Sequence, residues 1–212
     1  MLAVDPDCDH LVYATPDLAA TLRRFADLTG IKPAEGGQHV GRGTRNYLVG
    51  LGGQRYLEII GPDPEQQPDP GRPRPFGIDE LTTTELVTWA VHPVDIEERV
   101  AKARAAGYDP GSIEPLSRRT PAGTLLEWRL TQPASGDRIG IVPFLIDWGS
   151  TDHPSAGDLP AAELLVLAAT HPDPAAAQAQ LAALGVSLDV RAGSEQSLTA
   201  ALETPNGWVT LT

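Results

Sequence analysis

The chain has one cysteine among its 212 residues, Cys8, which excludes an internal disulfide and a thiolate metal cluster, so nitrogen and oxygen must hold any metal. Basic residues are also scarce. Against 28 Asp and Glu stand 16 Lys and Arg, and the formal charge of -12 repels a phosphate backbone and an anionic membrane surface alike. Neither nucleic acid nor membrane is an expected partner. No apolar run approaches the length that spans a bilayer, and the opening residues, MLAVDPDCDH, are acidic with no basic leader segment, which points to a cytoplasmic protein. Aromatic residues make up only 5%, so the place where large rings gather is informative. The 41% hydrophobic content, by contrast, is ample for a buried core in one large domain or two small ones.

A pattern recurs three times: a short apolar run, an Asp, a helix-period stretch and a Gly. The copies are His10 to Gly30, Thr88 to Gly107 and Val166 to Gly185. Asp17, Asp95 and Asp173 sit where a helix N-cap is wanted, because a carboxylate there accepts from orphan N–H groups and faces the positive end of the dipole. Gly30, Gly107 and Gly185 fall where a left-handed residue ends a helix. Between them Leu18, Leu22 and Phe25 are spaced for one helical face, as are Ile96, Val100 and Ala103, and Ala177, Leu181 and Leu184. Each helix can therefore lie on a sheet.

The Gly-rich passage EGGQHVGRGT follows the first helix and leads to two strand-like runs, NYLVGL and RYLEII, joined by the hairpin signal Gly52-Gly53. Unit one thus reads β-α-β-β-β over 7–61. The Pro-rich stretch 62–83 is unpatterned and reads as a linker. Unit two, 84–148, returns from its helix through LLEWRL and IGIVPFLI, and after a polar break a third unit, 160–212, closes with SLDV, SLTAALE and GWVTLT. A period of roughly 75 residues is too long for a solenoid and suggests tandem supersecondary units in an α+β fold.

Five segments carry a family likeness: DHLVYATPDL (9–18), GGQHVGRGTRNYLVGLG (36–52), YLEIIGPD (56–63), LEWRL (126–130) and PFLIDWGSTDHPS (143–155). Their order and spacing resemble the vicinal oxygen chelate superfamily of glyoxalases, extradiol dioxygenases and bleomycin-resistance proteins, and most closely its glyoxalase-like domain branch. The resemblance implies that two β-α-β-β-β units within 1–155 curl a mixed sheet into an open cup around a divalent metal and a small ligand. It leaves the third β-α-β-β-β unit as an appendage.

His10 shares a strand face with Val12 and Ala14, and Glu58 shares one with Tyr56 and Ile60. A carboxylate flanked by apolar groups is costly unless a cation or strong donors meet it. A metal is one solution, since imidazole plus carboxylate suits zinc, manganese, iron or nickel. The other is that Glu58 pairs with Arg42, Arg45 or Arg129 while His10 is a hydrogen-bonded core residue. Lactoylglutathione lyases, which the chain resembles, take four ligands from two units, but Thr88 and Val166 stand where His10 would repeat and no acid follows suitably. His39, in its Gly-flanked loop, is the candidate third ligand, giving His10, His39 and Glu58. Arg42, Arg45 and Asn46 are candidates for a ligand carboxylate or enolate oxygen, Arg129 for a further ligand contact, and Trp128, Phe144 and Trp148 for an apolar or planar body. Because Trp128 and Arg129 are adjacent in a strand, only one of them can face the cup. His153 either reaches the cup mouth or is a turn residue, whereas turn formation explains His92 and His171.

Three functions remain open. The leading one is a metal-dependent lyase, isomerase or dioxygenase, in which the metal acts as a Lewis acid on a developing enolate or oxyanion. The second is a metal-free, bleomycin-resistance-like protein that sequesters a small molecule. In the third, the extra unit mediates a homodimer.

Overall fold

The computed structural model describes residues 4–133 and 140–212. Asp17, Asp95 and Asp173 accept the amides of Ala20 (2.9 Å), Glu98 (2.8 Å) and Ala176 (3.0 Å), opening α1 (Leu18–Thr29), α2 (Ile96–Ala105) and α3 (Pro174–Leu184). Gly30 and Gly185 close α1 and α3 in the left-handed region, as their places in the repeat predict. The second helix stops at Ala106, with Gly107 just beyond it at φ +90°.

Eight strands form a closed barrel: β1 (Cys8–Ala14), β2 (Ala34–His39), β3 (Thr44–Gly50), β4 (Tyr56–Pro62), β5 (Glu85–Val91), β6 (Ser112–Arg119), β7 (Leu125–Gln132) and β8 (Phe144–Asp147). Their order is β1-β4-β3-β2-β6-β7-β8-β5, and exchanging the first four strands for the last four leaves it unchanged. Two seams join the halves, β1 against β5 and β2 against β6. A four-stranded sheet packs beside the barrel, built from β9 (Glu163–His171), β10 (Asp189–Ala192), β11 (Ser197–Thr204) and β12 (Gly207–Leu211). The whole is a mixed α+β fold, mostly sheet. One apolar cluster fills the barrel around Val12, Ile60, Leu130 and Ile146. Another coats its outside, running from Leu11, Leu57 and Trp89 to Leu167, Leu181 and Leu202. Trp89 anchors that layer, donating its indole N–H to the carbonyl of Ile141 at 2.8 Å.

Four details depart from the sequence reading. The sheet closes where an open cup was expected, because the second seam pairs Gln38 and His39 with Arg119 and Arg118. The Gly-rich passage is therefore strand β2 up to His39, and the polar run 112–119, which shows no apolar alternation, is its partner β6. IGIVPFLI is a strand only from Phe144, with residue 139 outside the described residues. The small sheet, finally, runs β10-β9-β11-β12, with β9 parallel to the second strand of its group rather than to the fourth. In the barrel β2 finds its partner across a seam, but β10 has no facing half and meets its backbone hydrogen bonds on the edge of β9.

Gly37 is what lets the second seam close. Its φ is +136°, and a Cβ there would lie 2.0 Å from the backbone oxygen of Arg119. Gly37→Ala should cost at least about 2 kcal/mol in urea unfolding, since both strain and a backbone clash oppose it. An unchanged unfolding midpoint would mean that β2 and β6 are not pressed together.

Residues 63–84 are more than a spacer. They cross the barrel opening with a 3₁₀ turn at Pro75–Glu80, and Phe76, at φ +60°, is the one non-glycine residue with positive φ among the described residues. Arg74 fastens this strap, donating to the carbonyl of Gly43 (3.0 Å) and pairing with Asp79 (2.6 Å).

Candidate functional site

Strand alternation decides what faces inward. His10, Val12 and Ala14 point into the barrel from β1, and Tyr56, Glu58 and Ile60 from β4, while Leu11, Leu57 and Ile59 join the outer layer. The half-open cavity has a volume of about 570 Å³. Trp128, Phe144 and Trp148 form one wall with Phe76 of the strap, and the two indoles stand 5.4 Å apart. Arg42, Asn46 and His39 also line it. Arg129 does not: it lies outside, paired with Glu97 (2.5 Å) and Asp147, so Trp128 is the member of that adjacent pair that faces in.

Two polar centres meet this space. In the first, His10 Nδ1 lies 2.5 Å from Asp9 Oδ1, and the ring stacks on Tyr56 with centroids 4.7 Å apart. Asp9 Oδ2 accepts from Trp148 Nε1 (3.0 Å), lies 3.1 Å from His153 Nε2, and has His92 Nδ1 at 3.7 Å. Burial pushes the Asp9 carboxyl up, but the hydrogen bonds and charges of His10 and His153 outweigh it and hold the group well below the usual carboxylate range. An ionised Asp9 makes His10 Nδ1 the donor, so that in its neutral form this cavity-lining ring has Nε2 as an open acceptor.

The second centre is Glu58, which accepts from Asn46 Nδ2 at 2.6 Å, with His39 Nε2 3.6 Å from its Oε1. None of the three arginines that were alternatives for Glu58 pairs with it. Arg45 turns to Glu35 (2.5 Å) and Asp63 (3.7 Å), Arg129 is occupied outside, and Arg42 makes no ion pair among the described residues. His39 Nδ1 lies 3.1 Å from Thr44 Oγ1, and burial lowers its pKa to about 4, with Glu58 opposing and Arg118 and Arg42 assisting. It is neutral at pH 7.

A family model described as a glyoxalase-like domain matches residues 8–185. The chain belongs to the glyoxalase-like domain family. The likeness carried by DHLVYATPDL and the segments after it is thus borne out. A hypothetical protein from Staphylococcus aureus has the same fold at a TM-score of 0.63 with 16% identity, over 96% of this chain and 84% of that one. Methylmalonyl-CoA epimerase from Mycobacterium tuberculosis aligns at a TM-score of 0.42 with 17% identity, over 74% and 97%. At those identities the first shows the fold alone, and the second is too loose to add to it. No protein of curated function matches the sequence.

Members of the wider superfamily typically hold a divalent metal, which needs several nitrogen and oxygen donors converging on one point. His10, His39 and Glu58 all line the cavity, yet no three His, Cys, Asp or Glu side chains converge as a ligand group among the described residues. His10 keeps Nε2 open, but Glu58 is engaged by Asn46, His39 Nε2 faces that same amide and Glu58, and the strands of the other half present Phe144 and Ile146. This donor set does not fit a resident divalent metal. Elemental analysis should find well under one equivalent, and chelator should leave the melting temperature unchanged. Stoichiometric metal that disappears in Glu58→Gln is the contrary result.

Sequence reasoning missed Asp9 and Arg118 and set His92 aside. Strict alternation turns Asp9 away from His10, but the register of β1 on β5 slips between Cys8 and His10. Only the adjacency of Asp and His in DHLVYA hinted at the pair. Arg118 sits in a strand with no apolar period to mark it.

Proposed function

We propose that the barrel binds a small organic molecule and moves a proton on it, with His10 as the base. The observation that carries this reading is the Asp9–His10 hydrogen bond, which fixes a cavity-lining ring and its tautomer and leaves Nε2 without a protein partner among the described residues. A C–H or O–H bond of the ligand gives its proton to Nε2. The bonding electrons stay on the ligand and spread onto a neighbouring carbonyl oxygen. The imidazolium is stabilised by the Asp9 carboxylate, and return of the proton completes the step. Such a transfer opens isomerase and lyase reactions. Tyr56 and Phe144 pack the ring, Asn46 orients Glu58, and Trp128 and Trp148 receive the ligand body.

This reading treats the two halves of the barrel as copies of one β-α-β-β-β unit, 7–61 and 84–148, joined by the strap, with 160–212 appended. The support is the strand order, which survives exchange of the halves.

A second reading, capture without chemistry, is favoured by the aromatic wall. Incubation in D₂O with a panel of 2-aryl and 2-oxo carboxylic acids and their amides, followed by proton NMR, separates the two. Proton transfer requires exchange at the carbon next to the carbonyl for at least one compound that binds. If every compound that binds keeps its C–H signal, the protein is a ligand-sequestering one.

A further inference from the structure

The cavity runs against the charge of the molecule that contains it. In a chain of net charge -12, four arginines line it, Arg42, Arg72, Arg74 and Arg118, against two carboxylates, Glu58 and Glu114. Asp79 meets the charge of Arg74. The other three make no ion pair among the described residues.

Arg118 is the unusual one, because it is only 4% exposed. It donates to the carbonyl of Gly36, and the surrounding strands supply no carboxylate within ion-pair reach among the described residues. Among the described residues only Arg45 Nε and Asn46 Oδ1 are sealed side-chain polar atoms without a partner, so the unused nitrogens of Arg118, which lines the cavity, are open to it. Burial opposes the charge of Arg118 and the Glu58 carboxylate supports it from beyond ion-pair reach; a guanidinium taken out of water without a paired counter-ion is costly, and a planar oxyanion received by its fork offsets that cost. After burial, Arg72 is the charge that depresses ionisation of Arg42, with Asp69 and Glu114 opposing it, and two neighbouring guanidiniums at an opening attract anions where those carboxylates do not pair with them. Glu58, already tied to Asn46, repels an anion from its own side and so directs it toward Arg118.

We propose that the ligand is a planar-bodied organic carboxylate whose carboxylate docks on Arg118, drawn in past Arg42 and Arg72 and stacked against Trp128 and Trp148. This rests on the cavity being the binding site described above and adds the class of ligand. The geometry favours a carboxylate because a flat guanidinium on a cavity wall pairs with a flat oxyanion in two parallel hydrogen bonds.

Three probes of one shape test it: 2-naphthoate, 2-naphthamide and 2-naphthyl phosphate, titrated calorimetrically into the intact protein. The carboxylate should bind at least tenfold more tightly than the amide, and added salt should narrow the gap. Arg118→Gln should remove the preference, whereas Arg118→Lys should keep part of it. Unchanged amide binding in Arg118→Gln certifies its fold, and Arg42→Gln, which leaves the Gly36 contact intact, should weaken the carboxylate alone. Equal affinity for carboxylate and amide, an intact preference in a folded Arg118→Gln, tighter binding of the phosphate, or no binding of any probe would each overturn the proposal. His10→Gln should still bind 2-naphthoate. Loss of exchange chemistry with retained carboxylate preference therefore fails the proton-transfer reading alone, and exchange on neutral ligands without that preference fails this one alone.

Discussion

His10→Gln should lower deuterium exchange into a bound 2-aryl acid by about 10² to 10⁴-fold while leaving its affinity within a factor of a few. Glutamine keeps a polar head on β1 but has no titrating nitrogen at the cavity. Asp9→Asn is the more revealing partner. An amide at that place no longer holds Nδ1–H as an ion, so Nε2 loses both its fixed tautomer and the charge that stabilises imidazolium, and the rate should fall by about 10²-fold or more. Asp9 is also buried against Trp148 and His153, so the same change lowers stability, and a drop in rate alone would not separate positioning from folding. The pH–rate profile does. If Asp9 positions and charges His10, the acidic limb, where protonation removes His10 as a base, should move in Asp9→Asn protein that is still folded. A profile that keeps its shape while only its amplitude falls would reduce Asp9 to a structural group, and exchange that survives His10→Gln would remove His10 from the chemistry.

The same residues show where a sequence stops being legible. Alternation placed His10 and Glu58 on inward faces with Tyr56 and Ile60, and the helix caps at Asp17, Asp95 and Asp173 could be read from spacing alone, because both follow from local periodicity. Local periodicity carries no information about a seam. Whether His39 sits in a loop or at the end of a strand depends on Arg118 and Arg119 eighty residues away, and Gly37, one of the glycines that suggest a loop, is there because the two backbones touch. Asp9 was hidden by a one-residue register slip that no pattern of period two can express. The strap was hidden differently: Pro73, Arg74, Pro75 and Phe76 have no periodicity, yet all four line the cavity. Ligand-set reasoning, for its part, identified residues that do share a cavity but not the hydrogen bonds that already engage them.

Those hydrogen bonds lead to the second large expected effect, a loss of stability on mild acidification that depends on His39. Asn46 Nδ2 faces His39 Nε2 at 3.4 Å, so Nε2 is the lone-pair nitrogen and Nδ1–H donates to Thr44, a neutral ring buried on the cavity wall. Its pKa of about 4 lies below the ordinary value of 6.5, which the unfolded chain recovers. Between those two values the unfolded chain binds a proton that the native state refuses, and stability must fall as pH drops through that window. The full effect is about 3 kcal/mol, reached near pH 4. Asp9 acts in a lower range: its depressed native pKa contributes stability that is fully present above the unfolded carboxyl value of 3.8 and is lost only as pH falls further. Urea unfolding at pH 7 and pH 4.5 should therefore show wild type losing about 2 kcal/mol more than His39→Gln, which has nothing to titrate there. Equal losses in the two proteins would mean that His39 accepts a proton in the native barrel, with Glu58 3.6 Å away as its counter-ion, and that the second polar centre is an ion pair rather than a neutral imidazole beside a carboxylate held by Asn46.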